Sequence, residues 1–148
     1  LWDEPLSRHT YYRIGGKAPL LVIPEGESDL FWLKERFKKN PFSYFILGMG
    51  SNLLVSDAGI PSLVIKTTKL CFDFQETQKN EWRVGASISV TTLLREAAKR
   101  GLSGFESLIG IPGSVGGVIY MNAGTHLGEA KDTLIATRSF LLESDEDW

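Results

Sequence analysis

The chain has 148 residues, of which 43% are apolar and 23% are charged, and its formal net charge at pH 7 is −2. These values are typical of one folded domain of ordinary size and exclude a disordered chain. The charges are interspersed rather than gathered in a basic stripe, so we expect no nucleic-acid partner. No apolar run approaches the roughly 18 residues of a membrane span, so we expect no membrane partner either.

The chain carries one cysteine, Cys71, which excludes an internal disulfide framework and is typical of a reducing compartment. No histidine is placed to activate its thiol, so we expect Cys71 to be a small buried apolar residue. Residues 1–5 have neither the basic flank nor the apolar core of a signal peptide. A soluble, cytoplasmic protein is therefore expected.

Residues 8–16 contain the first cluster of turn signals. The alternation of Tyr12 and Ile14 predicts a short extended piece, and Gly15-Gly16 predicts a turn after it. Arg13, between Tyr12 and Ile14, carries a charge suited to a phosphate, although a single surface arginine is more often merely solvated.

The next part of the chain predicts a strand–helix–strand unit. A buried strand is predicted at residues 18–24, and Ser28 is the expected N-cap of a helix that runs to Lys39. A second strand is predicted at residues 42–47. We expect the two strands to be parallel, with a right-handed crossover between them.

A glycine-rich segment, Gly48-Met-Gly-Ser-Asn52, follows the second strand directly. Doubly wound sheets hold phosphates at this end of a strand. A dinucleotide fingerprint would need a third glycine at position 53 with a helix behind it, but Leu53 stands there and residues 53–55 read as strand. No Gly-Lys-Ser/Thr follows, which excludes a P-loop. The remaining interpretation is a phosphate nest made by the loop itself, with Ser51 and Asn52 as added donors.

The remaining elements are less regular. A third strand is predicted at residues 62–66, a hairpin at residues 72–74 and 82–84, and a last strand at residues 133–142. Ser89 or Thr91 is expected to cap a helix that runs to Arg100 and ends at Gly101. The residues of this helix that we expect to face inward are Leu93, Leu94, Ala97 and Ala98.

A second glycine-rich segment, Gly110-Ile-Pro-Gly-Ser-Val-Gly-Gly117, continues through Met121-Asn-Ala-Gly124. It has almost no side chain able to act as an acid, base or nucleophile. A ribbon of backbone N–H groups suits a flat or anionic cofactor. The alternative, a set of glycine turns that only join strands, stays open.

Other catalytic chemistry is poorly supported. The two histidines, His9 and His126, have no partner at metal-ligand spacing, so no metal site is expected. Glu106 lies among glycines just before the second glycine-rich segment, and we interpret it as a structural cap rather than a catalytic acid. Two glycine-rich segments with few reactive groups indicate a cofactor that brings its own chemistry.

Four groups of motifs occur in a fixed order over nearly the whole chain, and together they resemble one family, the UDP-N-acetylenolpyruvoylglucosamine reductases. The resemblance implies an α/β (α+β) fold, namely an FAD-binding domain of the PCMH/vanillyl-alcohol-oxidase type made of two small α/β subdomains. The matching motifs are Thr10-Tyr-Tyr-Arg-Ile-Gly-Gly16, Leu47-Gly-Met-Gly-Ser-Asn-Leu-Leu54, Val84-Gly-Ala86, and Gly101-Leu-Ser-Gly-Phe-Glu106 followed by Ile111-Pro-Gly-Ser-Val-Gly-Gly117 and Met121-Asn-Ala-Gly124.

The resemblance also implies where FAD binds. Residues 1–67 would form one subdomain, with strand–helix–strand and pyrophosphate loop, and residues 68–148 the other, with a mixed sheet, a helix and a flavin loop. The flavin would be held without a covalent link, because the pyrophosphate loop has no histidine. The implied cofactor-binding residues are Gly48, Met49, Gly50, Ser51, Asn52, Leu53, Ala86, Ile111, Pro112, Gly113, Ser114, Val115, Gly117, Asn122, Ala123 and Gly124.

In that family NADPH reduces the flavin, which passes a hydride to the enolpyruvyl group of UDP-N-acetylglucosamine enolpyruvate in peptidoglycan precursor synthesis. An arginine, a glutamate and a proton-donating serine complete the reaction. Their motifs lie beyond the last residue, Trp148, so we expect no catalytic residue within this chain and no turnover by the chain alone. Two alternatives stay open: another flavin oxidoreductase of the same fold, or a non-catalytic paralogue that binds FAD or a nucleotide sugar.

Overall fold

The computed structural model describes residues 1–144 as two compact units. The first unit is Leu1–Leu70 with residues 137–144, and the second is Cys71–Ala136. The strands are β1 (Trp2–Pro5), β2 (Lys17–Val22), β3 (Tyr44–Leu47), β4 (Leu63–Lys66), β5 (Phe74–Gln78), β6 (Glu81–Val84), β7 (Gly124–Thr125) and β8 (Gly128–Glu129). The helices are α1 (Glu27–Lys39), α2 (Val90–Lys99) and α3 (Val115–Tyr120), and short 3-10 turns lie at Leu6–Arg8, Glu106–Leu108 and Ala130–Asp132.

The first unit is built on a four-stranded sheet in the order β1-β2-β4-β3. β4 pairs in parallel with β2 on one side and with β3 on the other. The predicted parallel strand–helix–strand unit is therefore confirmed, with β4 inserted between its two strands. The antiparallel edge strand β1 was not predicted. Tyr12 and Ile14 lie in a turn and the coil after it rather than in the predicted extended piece, since Arg13 has a left-handed φ of 57°.

Both faces of this sheet are covered. Val64 of β4 packs with Leu6 and Leu21 in one apolar cluster, and its neighbour Ile65 packs with Leu33 of α1 in another. Successive side chains of a strand point to opposite faces, so an apolar pair within one strand indicates a sheet that is buried on both sides. Burial on both faces explains why β2, β3 and β4 read as unbroken apolar runs in the sequence.

Helix α1 begins one residue before the predicted N-cap. Gly26 is the N-cap, and Ser28 lies within the first turn. The Glu25 N–H donates to the Asp29 carboxylate at 2.8 Å, so an acidic side chain of the first turn binds the chain that enters the helix. Leu30 and Leu33, two of the residues whose spacing predicts the helix, are both buried.

The second unit has two separate hairpins, β5–β6 and β7–β8, both antiparallel. The predicted mixed sheet is wrong for the described residues of this unit, whereas the predicted hairpin at β5–β6 is confirmed. Helix α2 is capped by Ser89, whose Oγ accepts the Thr92 N–H at 3.1 Å. Leu93 and Ala97 are buried as predicted, but Ala98 is exposed, because it lies on the other side of the helix.

Three further predictions are wrong. Residues 133–142 form no strand, because their apolar side chains find no partner strand among residues 1–144; Ile135 is 76% exposed. Residues 53–55 form no strand either. Cys71 is exposed rather than buried. The backbone of Cys71 packs closely against Gly85, because a Cβ at Gly85 would collide with the Cys71 carbonyl. Cys71 itself has a left-handed φ of 49°.

The fold class is confirmed as α/β with two small parts. The boundary between the described units falls at Leu70 and Cys71, and the chain returns to the first unit at Thr137. That return depends on Leu142, which packs beside Leu30 and Leu33 of α1. The equivalence of these units with the two FAD-binding subdomains predicted at residues 1–67 and 68–148 stays a prediction.

Candidate functional site

The first unit folds two of the sequence motifs against each other. The Tyr11 N–H donates to the carbonyl of Gly50 at 2.9 Å, so the residue 8–16 turn lies on the loop of residues 48–53, called here the first glycine loop. Gly50 is buried, with a φ of 69°, and a Cβ there would collide with the His9 carbonyl. Glycine is thus needed at position 50 because the protein's own backbone approaches it closely.

The first glycine loop directly follows β3 and has no helix behind it, as the sequence predicts. Gly48, Ser51 and Leu53 are half-buried, while Met49 and Asn52 are exposed. Among residues 1–144, no backbone carbonyl accepts a hydrogen bond from the N–H groups of Met49, Gly50 or Asn52. A bend that leaves neighbouring N–H groups unused is the arrangement that binds anions in protein nests.

A basic pocket of about 600 Å³ adjoins this loop at Met49. It also takes in Lys66 at the end of β4 and the first motif of the chain. The residues that line it are Arg8, His9, Thr10, Tyr11, Arg13, Met49 and Lys66. Arg13, whose charge suits a phosphate, thus lines a pocket together with His9 and Lys66. No pattern in the sequence predicts that these last two residues meet, because they lie far apart in the chain.

Three side chains at this pocket form a hydrogen-bonded row. Lys66 Nζ lies 2.9 Å from His9 Nδ1, and His9 Nε2 lies 3.0 Å from Glu4 Oε1. An ammonium can only donate, so Nδ1 accepts and the Nε2–H donates to Glu4, which assigns the neutral tautomer to His9. Burial lowers the pKa of Lys66 from its ordinary value.

The second unit joins another pair of motifs. Residues 111–117, called here the second glycine loop, lie against Ala86: the Gly116 N–H donates to the Ala86 carbonyl at 2.9 Å. The Val115 N–H donates to the Ile88 carbonyl at 2.8 Å. A Cβ at Gly116 would stand 2.9 Å from that of Ala86, so this glycine also serves a close approach within the protein. Much of the expected N–H ribbon is therefore already used by the fold.

The second glycine loop ends in a helix that was not predicted. Ser114 is the N-cap of α3, and its Oγ accepts the Gly117 N–H at 3.3 Å. Val115 and Val118 are buried one turn apart, which outweighs the low helix propensity of the glycines. Ahead of the cap, Gly113 has a φ of 140°, and no carbonyl of residues 1–144 accepts from the N–H of Gly113 or Ser114. Ile111 is half-buried and Pro112 is exposed.

Residues 122–124 are tied into the β7–β8 hairpin. Asn122 donates through Nδ2 to Glu129 Oε2 at 2.8 Å and accepts the Lys131 N–H through Oδ1 at 3.0 Å. The Ala123 carbonyl accepts the Ala130 N–H at 2.9 Å, and a Cβ at Gly124 would collide with the Gly128 carbonyl. Hydrogen bonds from Lys131 and Asn122 lower the pKa of Glu129.

Chemically reactive groups near the glycine loops are few. Glu106 accepts the Gly104 N–H at 2.7 Å, but the N-cap of the 3-10 turn that begins at Glu106 is Phe105. The structural role of Glu106 stays a prediction. His126 is exposed in the β7–β8 turn. No group of His, Cys, Asp and Glu residues within residues 1–144 could hold a metal ion. Over the same range, the chain contains no helix long and apolar enough to cross a membrane.

Comparison with known proteins gives one consistent result. The FAD binding domain family matches residues 18–143. The chain is 44% identical over 138 residues to the UDP-N-acetylenolpyruvoylglucosamine reductase of Syntrophobacter fumaroxidans (strain DSM 10017 / MPOB), covering 90% of this chain and 40% of that protein. It is 39% identical over 148 residues to the enzyme of that name in Bacillus subtilis (strain 168), covering 100% of this chain and 48% of that protein.

A solved structure agrees with these relatives. The crystal structure of UDP-N-acetylenolpyruvylglucosamine reductase from Thermus caldophilus is similar with a TM-score of 0.69 and 41% identity. The match covers 87% of this chain and 44% of that one. The chain thus spans less than half the length of the relatives that it matches.

Proposed function

Since this chain belongs to the FAD binding domain family, we propose that it forms the FAD-binding part of a UDP-N-acetylenolpyruvoylglucosamine reductase. Its similarity to reductases of that name extends over nearly all of its length. The activity would be the NADPH-dependent conversion of UDP-N-acetylglucosamine enolpyruvate to UDP-N-acetylmuramate, a step of peptidoglycan precursor synthesis in the cytoplasm.

The observation that carries this proposal is the unused N–H set of the first glycine loop. FAD contains a pyrophosphate with two negative charges, and Met49, Gly50 and Asn52 each present an N–H with no carbonyl acceptor among residues 1–144. Lys66 and Arg13 line the pocket beside this loop. Backbone N–H groups backed by cations suit a buried pyrophosphate. The residues of the first unit therefore fit the anionic part of FAD.

The second unit would serve the flavin. FAD, when bound, supplies the hydride-transfer chemistry, which these residues lack. The unused N–H groups of Gly113 and Ser114 are polar contacts suited to a ring edge with carbonyl oxygens. We assign FAD binding to residues of both units. Those of the first unit are Gly48, Met49, Gly50, Ser51, Asn52 and Leu53, and those of the second are Ala86, Ile111, Pro112, Gly113, Ser114, Val115, Gly117, Asn122, Ala123 and Gly124.

We extend the proposal to a division of labour. Reduction of an enolpyruvyl group creates negative charge that must be stabilised and then protonated. The polar side chains around the second glycine loop are already engaged: Ser114 caps α3, Asn122 binds the β7–β8 hairpin and Glu106 closes a turn. The proton donor and the charge-stabilising groups would then come from parts of a full-length protein outside residues 1–148.

Two measurements test this proposal. Flavin fluorescence titration of the purified chain with FAD should saturate at one FAD per chain. NADPH oxidation that depends on UDP-N-acetylglucosamine enolpyruvate should be absent with the FAD-loaded chain and present with the full-length Bacillus subtilis relative as positive control. A chain that binds the nucleotide sugar but not FAD would instead be a non-catalytic paralogue. Turnover by the chain alone would refute the division of labour.

A further inference from the structure

We propose that the basic pocket beside the first glycine loop binds the pyrophosphate of the flavin nucleotide, with Lys66 and Arg13 as its cationic ligands and His9 as the residue that positions Lys66. This inference rests on the proposed FAD binding and names side chains that the glycine motifs do not contain. The ligand chemistry is a nucleoside diphosphate. The pocket and the loop share Met49, so the cationic side chains adjoin the loop that carries the unused N–H groups.

The charges of the pocket are not balanced within it. Arg8, Arg13 and Lys66 line it, and the nearest acidic partner is Glu4 behind His9. Arg8 lies 3.7 Å from Glu4, and that pair is shared with His9. Within residues 1–144, neither Arg13 nor Lys66 forms an ion pair with a carboxylate. An excess of cations in a concave site raises the local concentration of anions.

Lys66 is held in place by a neutral partner. Its ammonium donates to His9 Nδ1, and the Glu4 carboxylate fixes the opposite face of the ring, with both the His9 and Glu4 side chains only 12–13% exposed. An ammonium has three N–H donors, and one of them suffices for this contact. Burial lowers the pKa of Lys66, and a bound phosphate would offset that cost by restoring a charged partner.

Arg13 reaches the same pocket from a strained turn. Its φ of 57° lies in the left-handed region, and its N–H donates to the Thr10 carbonyl at 3.2 Å. Arginine is uncommon in that region, where asparagine and glycine are favoured. Position 13 therefore carries a cationic side chain although its backbone angle favours asparagine or glycine. Its guanidinium presents the planar donor fork that matches phosphate oxygens.

The alternative is a structural role, in which Lys66 only ties β4 to the turn of residues 6–9. The two roles differ in what a Lys66→Met variant does. The variant keeps an unbranched side chain of nearly the same length and removes the charged Nζ. A structural role would lower the stability and leave nucleotide affinity unchanged, whereas a ligand role lowers the affinity for every ligand that carries the pyrophosphate and spares riboflavin, which has none.

The experiment is calorimetric titration of the wild-type chain and of Lys66→Met, Arg13→Asn and Lys39→Met with FAD, ADP and riboflavin. Asparagine suits the left-handed angle at position 13, so Arg13→Asn removes charge without adding strain. Lys39→Met removes one exposed cation from the end of α1 and is the matched control. We expect the first two variants to lose about tenfold in affinity for FAD and ADP, with riboflavin unaffected and Lys39→Met unchanged.

Two results would overturn the inference. The first is unchanged FAD and ADP affinity in both Lys66→Met and Arg13→Asn. The second is ADP that binds to the FAD-saturated chain without displacing FAD, since the pocket would then hold a second nucleotide. If the wild-type chain binds no FAD but binds ADP in a Lys66-dependent manner, the pocket assignment stands as a diphosphate site and the proposed function fails. The two claims are thus separable.

Discussion

Tyr11 donates its backbone N–H to the carbonyl oxygen of Gly50 at 2.9 Å, and this bond joins two motifs that lie far apart in the sequence. The same contact brings the His9 carbonyl against the Cα of Gly50 and leaves no room for a Cβ. The glycine that the sequence offers as a ligand contact is therefore first a packing requirement. Met49, Gly50 and Asn52 nevertheless present N–H groups for which residues 1–144 supply no carbonyl acceptor.

Replacement of Gly50 by alanine should destabilise the first unit. Gly101 provides the matched control, because its φ of 65° is close to the 69° of Gly50 but nothing lies within 4 Å of its Cβ position. Gly101→Ala should cost about 1 kcal/mol in the free energy of unfolding, from backbone strain alone. Gly50→Ala should cost roughly 2 kcal/mol more, because His9 must move. Urea denaturation measures both, and equal losses would show that the His9 contact is not restrictive.

The cap of α3 separates stability from cofactor binding. Ser114→Ala removes the Oγ that accepts the Gly117 N–H, and Ser89→Ala removes the corresponding cap of α2. Each variant should lose about 1 kcal/mol in the free energy of unfolding. Only Ser114→Ala should also weaken FAD binding, by severalfold, because it loosens the second glycine loop. Unchanged FAD affinity in Ser114→Ala would remove Ser114 from the proposed site.

The lowered pKa of Lys66 gives nucleotide binding a pH dependence. Burial favours the neutral amine, so Lys66 loses its charge at a lower pH than an exposed lysine of pKa about 10.4. The charged groups that face it are Arg8 and Arg13, with His9 in direct contact and Glu4 behind it.

ADP affinity of the wild-type chain should therefore fall as the pH rises from about 8 towards 10.4, above the titration range of histidine. The charged ammonium is the form that binds the anion, so its loss weakens binding. Calorimetric titrations across this range should show a fall in the wild-type chain and in Lys39→Met, and a flatter profile in Lys66→Met. Identical profiles in all three proteins would count against Lys66 as a ligand.

Much of the first unit could be predicted from sequence. The apolar runs of β2, β3 and β4 are bounded by proline, glycine or a helix signal. Such short, continuous apolar runs are typical of strands that are buried on both faces of a sheet. The role of Gly50 could not be read in the same way. A glycine indicates a close approach, but not whether the approaching group is a ligand or the protein's own backbone.

Other features depend on tertiary contacts that no local pattern encodes. The row from Glu4 through His9 to Lys66 forms because β4 pairs beside β2, which carries position 66 to the turn that holds His9. Helix α3 forms against the propensity of its glycines because Val115 and Val118 are buried together. The predicted strand at residues 133–142 fails for the converse reason: an apolar segment needs a partner strand, and residues 1–144 supply none.

We propose that this chain holds FAD through its two glycine loops without a covalent bond. The most direct measurement is to saturate the purified chain with FAD, remove the excess by gel filtration, precipitate the protein with acid and quantify flavin in both fractions. We expect about one FAD per chain, all of it in the supernatant, and a colourless pellet. A chain that leaves gel filtration without flavin would contradict FAD binding, and a yellow pellet would contradict the non-covalent link.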